Sequence, residues 1–128
     1  MSNKPFGVIF MIDADECEGN ITSKDHIQSF IDKLVELRGM KKKGDTIFEY
    51  FEVNEYNRQR DIVGYSVSQI ISLSNITMHI NEISRTMYMD IFTCGSLDDS
   101  DVTLLFSDFF KAKKIKKQRI IRDAKHLH

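Results

Sequence analysis

The chain has 128 residues, 41% of them hydrophobic and 29% charged, with a formal net charge of −1. That length supports one core and no more, and the near-neutral balance removes any overall argument for nucleic acid, a membrane surface or an acidic partner. Two cysteines, Cys17 and Cys94, are too few for a disulfide framework. No run approaches the roughly 20 apolar residues of a membrane span, and the opening MSNKPFGVIFMIDADE is too briefly apolar for a signal peptide. The expectation is a single cytoplasmic domain over residues 1–128.

Gly7 to Asp13 (GVIFMID) is short, apolar and rich in β-branched residues, which predicts a buried strand. An acidic loop, Asp13 to Asn20, follows. Thr22 and Ser23 can cap a helix, with Asp25 in its first turn opposing the dipole. Ile27, Phe30, Ile31, Leu34 and Val35 recur at helical spacing, and Gly39 ends the helix. Lys41 to Lys43 read as a solvated connection, Thr46 to Val53 (TIFEYFEV) as a strand, and Asn54 to Asp61 as a loop. From Ile62 to Thr93 the pattern supports two or three strands: Ile62–Leu73, Asn75–Asn81 and Thr86–Thr93. In the second, Ile76, Met78 and Ile80 alternate with Thr77 and His79, so one face is apolar and the other is free for chemistry. Asp98, Asp99 and Asp101 open a second helix with core face Val102, Leu105, Phe106, Phe109 and Phe110, and Lys111, Lys113 and Lys114 complement its dipole at the far end. Ile115 to Arg122 reads as an edge strand protected by its lysines. The order β-α-β-β-β-α-β predicts an α+β two-layer sandwich, an antiparallel sheet with both helices on one face. The opposite face, partly apolar and uncovered, predicts a homodimer in an α-β-β-α arrangement.

Gly64 to Gly95 concentrates the residues able to do chemistry. Ser74 is followed by His79 five positions on and by Cys94 fifteen after that; Ser66 lies eight before Ser74. Taken singly, Ser74 and His79 read as ordinary strand residues and Cys94 as a small core residue. The basic tail from Lys111 to Lys125 has no interleaved aromatics and reads as a solvated end rather than an RNA site. His126 and His128 sit at a terminus that would fray, and Cys17 has no metal-ligand spacing with any other residue, so no metal is expected.

In register, these residues resemble the S-adenosylmethionine decarboxylase proenzymes of the short prokaryotic type. Gly64-Tyr65-Ser66 is similar to the Gly-x-Ser that precedes the family's self-processing serine. Thr77 and His79 match the hydroxyl residue and histidine of the strand after that serine, and Asp90-Ile91-Phe92-Thr93-Cys94-Gly95 matches the segment carrying the catalytic cysteine. The resemblance implies that Ser74 attacks the carbonyl of Leu73, turning an amide into an ester, and that β-elimination and hydrolysis then leave a pyruvoyl group derived from Ser74 as cofactor. Such a group supplies the electrophile that side chains lack, capturing the amine of an amino-acid-type substrate and accepting the electrons released as carboxylate leaves. The same resemblance makes Cys94 the proton donor and assigns His79 and Ser66 to processing.

The departures fall around these residues. Leu73 and Asn75 flank the serine where the family has glutamate and histidine. Ile80-Asn81-Glu82-Ile83 stands in place of Thr-Trp-Pro-Glu, and Arg60 replaces a phenylalanine near the substrate. The processing machinery is thus better matched than the nucleoside pocket, whose aromatic stacking surface is reduced. Thr77 and Arg60 are the candidate substrate contacts. The pattern is compatible with an S-adenosylmethionine decarboxylase of polyamine (spermidine) biosynthesis, with a decarboxylase of arginine or ornithine, or with an unprocessed regulatory homologue.

Overall fold

A computed structural model of the chain describes residues 4–37 and 39–127, and of His126 the backbone alone. Strands are Gly7–Cys17 (β1), Ile47–Phe51 (β2), Gly64–Ile71 (β3), Ser74–Asn81 (β4), Thr86–Thr93 (β5) and Ala112–Arg122 (β6). Helices are Lys24–Glu36 (α1), Glu55–Gln59 (α2) and Asp99–Phe110 (α3), with a final 3-10 turn at Ala124–His126. The strands form one sheet in the order β2-β3-β4-β5-β1-β6, antiparallel throughout.

Side chains alternate across a pleated strand, so residues paired between strands share a face. The apolar set therefore lines up in rows: Phe10 opposite Ile91 and Ile91 opposite Ile76; Ile12, Met89, Met78 and Val67; Ala14, Met87 and Ile80. Against these rows pack Ile27, Phe30, Ile31, Leu34 and Val35 of α1 and Val102, Phe106 and Phe110 of α3. The Phe30 ring meets those of Phe106 and Phe110 at 5.9 and 4.9 Å. The two-layer α+β sandwich with α1 and α3 on one face is the architecture the pattern predicts.

The helix ends follow their sequence signals. Ser23 Oγ accepts from the His26 amide at 3.1 Å, Asp98 Oδ1 accepts from the Asp101 amide at 3.0 Å, and Gly39 takes φ +63° beyond α1. A buried polar chain then ties the segment after α1 to the sheet. Gln69, fully buried on the inner face, hydrogen-bonds the Thr46 hydroxyl and donates to the Gly44 and Ile70 carbonyls at 3.2 and 2.9 Å. Gln28 links Thr46 (2.8 Å) to Asp32 (3.1 Å), and Lys42 reaches Asp32 at 2.8 Å. The Lys42 ammonium, hydrogen-bonded to Asp32, holds that carboxyl below its usual value. Backbone bonds from Lys43 to Ile70 (2.8 Å) and from Ser72 to Lys41 (3.1 Å) lay residues 40–43 along the end of β3.

Several elements differ from expectation. Four strands rather than the three of the predicted order lie between α1 and α3, because Ile62–Thr93 divides into three strands, β3, β4 and β5, beside the expected strand at Thr46–Val53, which is β2. β1 runs on to Cys17 through the acidic stretch read as a loop: Asp13 and Asp15 lie opposite Lys116 and Lys114 of β6, which offsets their charge. Lys113 and Lys114 consequently belong to β6 rather than to the end of α3, pairing with Glu18 at 2.9 Å and Glu16 at 3.6 Å. The loop at Asn54–Asp61 contains α2, begun by Asn54 Oδ1 accepting from the Asn57 amide at 2.7 Å. Too short for an apolar stripe, α2 carries a cap as its sequence signal. No described helix is long and apolar enough to cross a membrane. The His126 side chain and His128 lie outside the described residues.

Gly64 opens β3 at φ +136°, and a Cβ there would collide with the Ile80 carbonyl oxygen. Gly44 has φ +78° with open space around it. We expect Gly64→Ala to cost about 3 kcal/mol or more in urea unfolding and Gly44→Ala only about 1 kcal/mol; equal losses would contradict the close approach of β3 to β4.

Candidate functional site

The β3–β4 hairpin turns on two residues, Ser72 and Leu73, and Ser74 is the first residue of β4. Ser74 pairs with Thr93 of β5 and so faces the helix layer. Its hydroxyl donates to Thr93 Oγ1 at 2.5 Å and lies 3.6 Å from Met40 Sδ, which the 40–43 segment brings to this corner. Thr93 is fully buried, and its Oγ1 also accepts from the Gly95 amide at 2.9 Å. One residue on, Cys94 turns outward and is exposed. Its backbone N–H donates to the Leu73 carbonyl oxygen at 3.0 Å, and its Sγ lies 3.4 Å from that same oxygen. The carbonyl immediately before Ser74 thus accepts from two donors of one residue. That arrangement polarises the C=O and would stabilise negative charge forming on its oxygen. A cavity of about 580 Å³ opens here, lined by Phe6, Ile70, Leu73, Ser74, Phe92 and Cys94 among others.

Ser66 and His79 form a second cluster. They face each other across β3 and β4, with Ser66 Oγ 3.0 Å from His79 Nδ1. Ser74 and His79 are five positions apart along β4, an odd step, so their side chains emerge on opposite faces, about 17 Å apart along the strand. The four residues expected to act together are therefore two pairs, Ser74 with Cys94 and Ser66 with His79, at opposite ends of the sheet. Thr77 lies between them on the open face, opposite Ser68 and Asp90. Arg60 closes α2 with its guanidinium 3.5 Å from the centre of the Tyr56 ring, and it borders a cavity of about 500 Å³ with Ser66 and His79.

That cavity corrects one expectation. The sequence departures suggest a pocket poor in aromatic surface, yet Phe51, Tyr65 and Tyr88 line it beside His79. At the other end Phe6 stacks on Phe92 at 6.0 Å, next to Cys94. These rings come from four different strands or flanks, so no single local motif contains them all. The sequence reading gave no role to Met40, nor to Thr93 beyond its place in the Cys94 segment. Thr93 was within its reach, since it shares the alternation of Met87, Met89 and Ile91 that marks the buried face of β5. Met40 was not, because only the loop's path along β3 brings it to Ser74.

The two cysteines are chemically distinct. Cys17 is fully buried in the core, and burial pushes its thiol up to about 11. Iodoacetamide near pH 8 should therefore place one adduct, on Cys94, in the folded protein and two in denaturant, read by intact and peptide mass. A folded pKa above the unfolded value of 9.0 means that the native state holds this proton more tightly. Its contribution to stability is complete below about pH 9 and is lost as pH rises toward about 11, which urea titrations across that window would record.

The family model of S-adenosylmethionine decarboxylase matches residues 9–123. Among solved structures, the crystal structure of the adenosylmethionine decarboxylase from Aquifex aeolicus superposes with a TM-score of 0.73 at 18% identity, covering 94% of this chain and 92% of that one. A search of curated protein sequences finds no match. The family match spans every residue of the two pairs: this chain belongs to the S-adenosylmethionine decarboxylase family.

Proposed function

We propose that the chain is a pyruvoyl-dependent decarboxylase of S-adenosylmethionine, acting in polyamine synthesis, that makes its prosthetic group by cleaving itself between Leu73 and Ser74. The observation that carries this reading is the Leu73 carbonyl, held by the Cys94 amide at 3.0 Å and approached by the Cys94 thiol at 3.4 Å, directly before a serine in a hairpin corner. Ser74 Oγ adds to that carbonyl carbon while the Cys94 donors carry the charge gathering on oxygen. The C–N bond then breaks, the hydroxyl proton ends on the departing nitrogen, and Leu73 is joined to Ser74 as an ester. Removal of the Ser74 α-proton expels Leu73 as a carboxylate. Hydrolysis of the residue left behind, with loss of ammonia, gives the pyruvoyl terminus. That group supplies an electron sink for decarboxylation. The residues at the corner suit it: Cys94 holds a proton beside the cleaved bond, and the adjoining cavity is large enough for a small ligand.

The base is the difficulty in a single chain, since His79 lies on the other face about 17 Å from Ser74. A homodimer through the open faces shortens that distance, bringing a partner's His79 to the open side of the Ser74 backbone, whose α-proton is the one removed. The open face presents the row Ile70, Asn75, Phe92, Ile9 and Ile120 at the Ser74 end, and Ser66, His79, Tyr88 and Asp13 two rows further on. A two-fold axis between two such faces, running across the strands at the level of Ser68, Thr77 and Asp90, sets His79 of one copy over Asn75, beside Ser74, of the other. The same packing covers Ile70 and Ile120, which are 59% and 49% exposed in one copy. Each site then takes Ser74 and Cys94 from one copy and Ser66, His79, Arg60 and Tyr88 from its partner.

Intact mass should give two fragments meeting between Leu73 and Ser74, the second with a ketone terminus, and Ser74→Ala should remain one chain; a wild type that stays whole for days would sink the reading. Release of carbon dioxide should follow S-adenosylmethionine, and release from arginine or ornithine alone would refute the substrate. His79→Ala should slow cleavage at least 100-fold. Co-expressed with Ser74→Ala, the His79→Ala chain should regain cleavage, because its Ser74 then meets an intact His79; no recovery in a purified heterodimer would refute the shared site.

A further inference from the structure

We infer that Thr93 is a positioning residue for self-cleavage, holding the Ser74 hydroxyl beside the Leu73 carbonyl; the inference rests on the proposed processing of Ser74. A serine side chain has three staggered wells, so a serine that must attack its own preceding carbonyl gains from being confined to one. Among the described residues, the side-chain oxygen hydrogen-bonded to Ser74 Oγ is Thr93 Oγ1, at 2.5 Å; Met40 Sδ, at 3.6 Å, is a weak acceptor.

Thr93 is itself held from several sides. It is fully buried, its branched side chain is stiff at χ1, and the Gly95 amide occupies one lone pair of Oγ1 at 2.9 Å, leaving the other for Ser74. Successive residues of β5 thereby hold the two reacting groups: Thr93 the hydroxyl and Cys94 the carbonyl oxygen. Just beyond the Ser74–Thr93 pair that ends this register, the Cys94 amide bonds the Leu73 carbonyl. As the Oγ–C bond forms and the C–N bond breaks, the proton leaving Oγ passes to the amide nitrogen. Thr93 Oγ1 accepts that O–H until the transfer, and no outside reagent is needed.

A buried threonine that merely satisfies its own hydroxyl would not affect the rate in this way. The test compares Thr93→Ser, Thr93→Ala and Thr93→Val with wild type in the full chain, following cleavage by intact mass and folding by thermal melting. Ser and Ala lose the same methyl, so any packing loss is shared and the hydroxyl is the difference between them. We expect Thr93→Ser to cleave within about threefold of wild type and Thr93→Ala and Thr93→Val at least tenfold more slowly. Neutral hydroxylamine, which cuts esters and spares amides, should release no fragments from the slow variants, since they stall before the ester forms. Equal rates for Ser and Ala, or an ester accumulating in Thr93→Ala, would overturn the role of Thr93 while leaving the processing of Ser74 standing. A wild type that never cleaves removes both.

Discussion

Ser74 lies opposite Thr93 in the β4–β5 ladder, and the geometry of the site depends on that register. It is set some distance away, by the rows Ile76–Ile91–Phe10, Met78–Met89–Ile12 and Ile80–Met87–Ala14. Sliding β4 by one residue would turn Ile76, Met78 and Ile80 to the open face. At about 1.5–3 kcal/mol for each buried apolar side chain, that error exceeds the strength of any hydrogen bond at the hairpin. The core therefore decides where Ser74 meets Thr93 and Leu73 meets Cys94, and the polar contacts refine a placement already made.

The same alternation separates the chemistry into two places. Ser74 and Thr93 share the inner face with the methionines; Cys94, one residue further, emerges at the strand end beside the hairpin. Ser66 and His79 pair on the outer face two rows along. A period of two keeps them apart within one chain whatever the side-chain rotamers, because their strand is rigid and paired on both sides. Within one chain, Ser74 and His79 are thus held apart by ordinary strand geometry.

Electrostatics acts at the margins of this fold. β6, at one sheet edge, is lined with lysines, and β1 and the residue just after it meet them with acidic side chains: Lys114 with Glu16 and Lys113 with Glu18, all well exposed. Exposed pairs of this kind contribute little each. Their effect is to make an eleven-residue edge strand tolerable in water and unwelcoming to a further strand. The polar chain from Lys42 through Asp32, Gln28 and Thr46 to Gln69 is different, because it ends on a fully buried amide whose needs must be met. Meeting them fixes the 40–46 segment, and with it Met40 at the Ser74 corner.

Local periodicity determined most of the fold. The apolar stripes of α1 and α3, the capping residues Ser23 and Asp98, and the alternation in β4 and β5 are short-range patterns whose physical cause lies within one element. They gave the layer order and the outward face of His79. The family resemblance likewise singled out Ser74, Cys94, His79 and Ser66, whose residue types suit covalent and proton-transfer chemistry. Where the acidic stretch of β1 ends, that α2 exists, and that Phe51, Tyr65 and Tyr88 gather beside His79 were decided only by tertiary structure, since each depends on a partner strand or a cap without periodic signature. The division of the four site residues into two pairs lies between these cases: parity along β4 contains it, but its meaning appears only once the strands are paired and each face has its neighbours. Residue chemistry is carried by sequence, whereas the distance between residues on opposite faces of a sheet is set by the pleat and by what packs against each side.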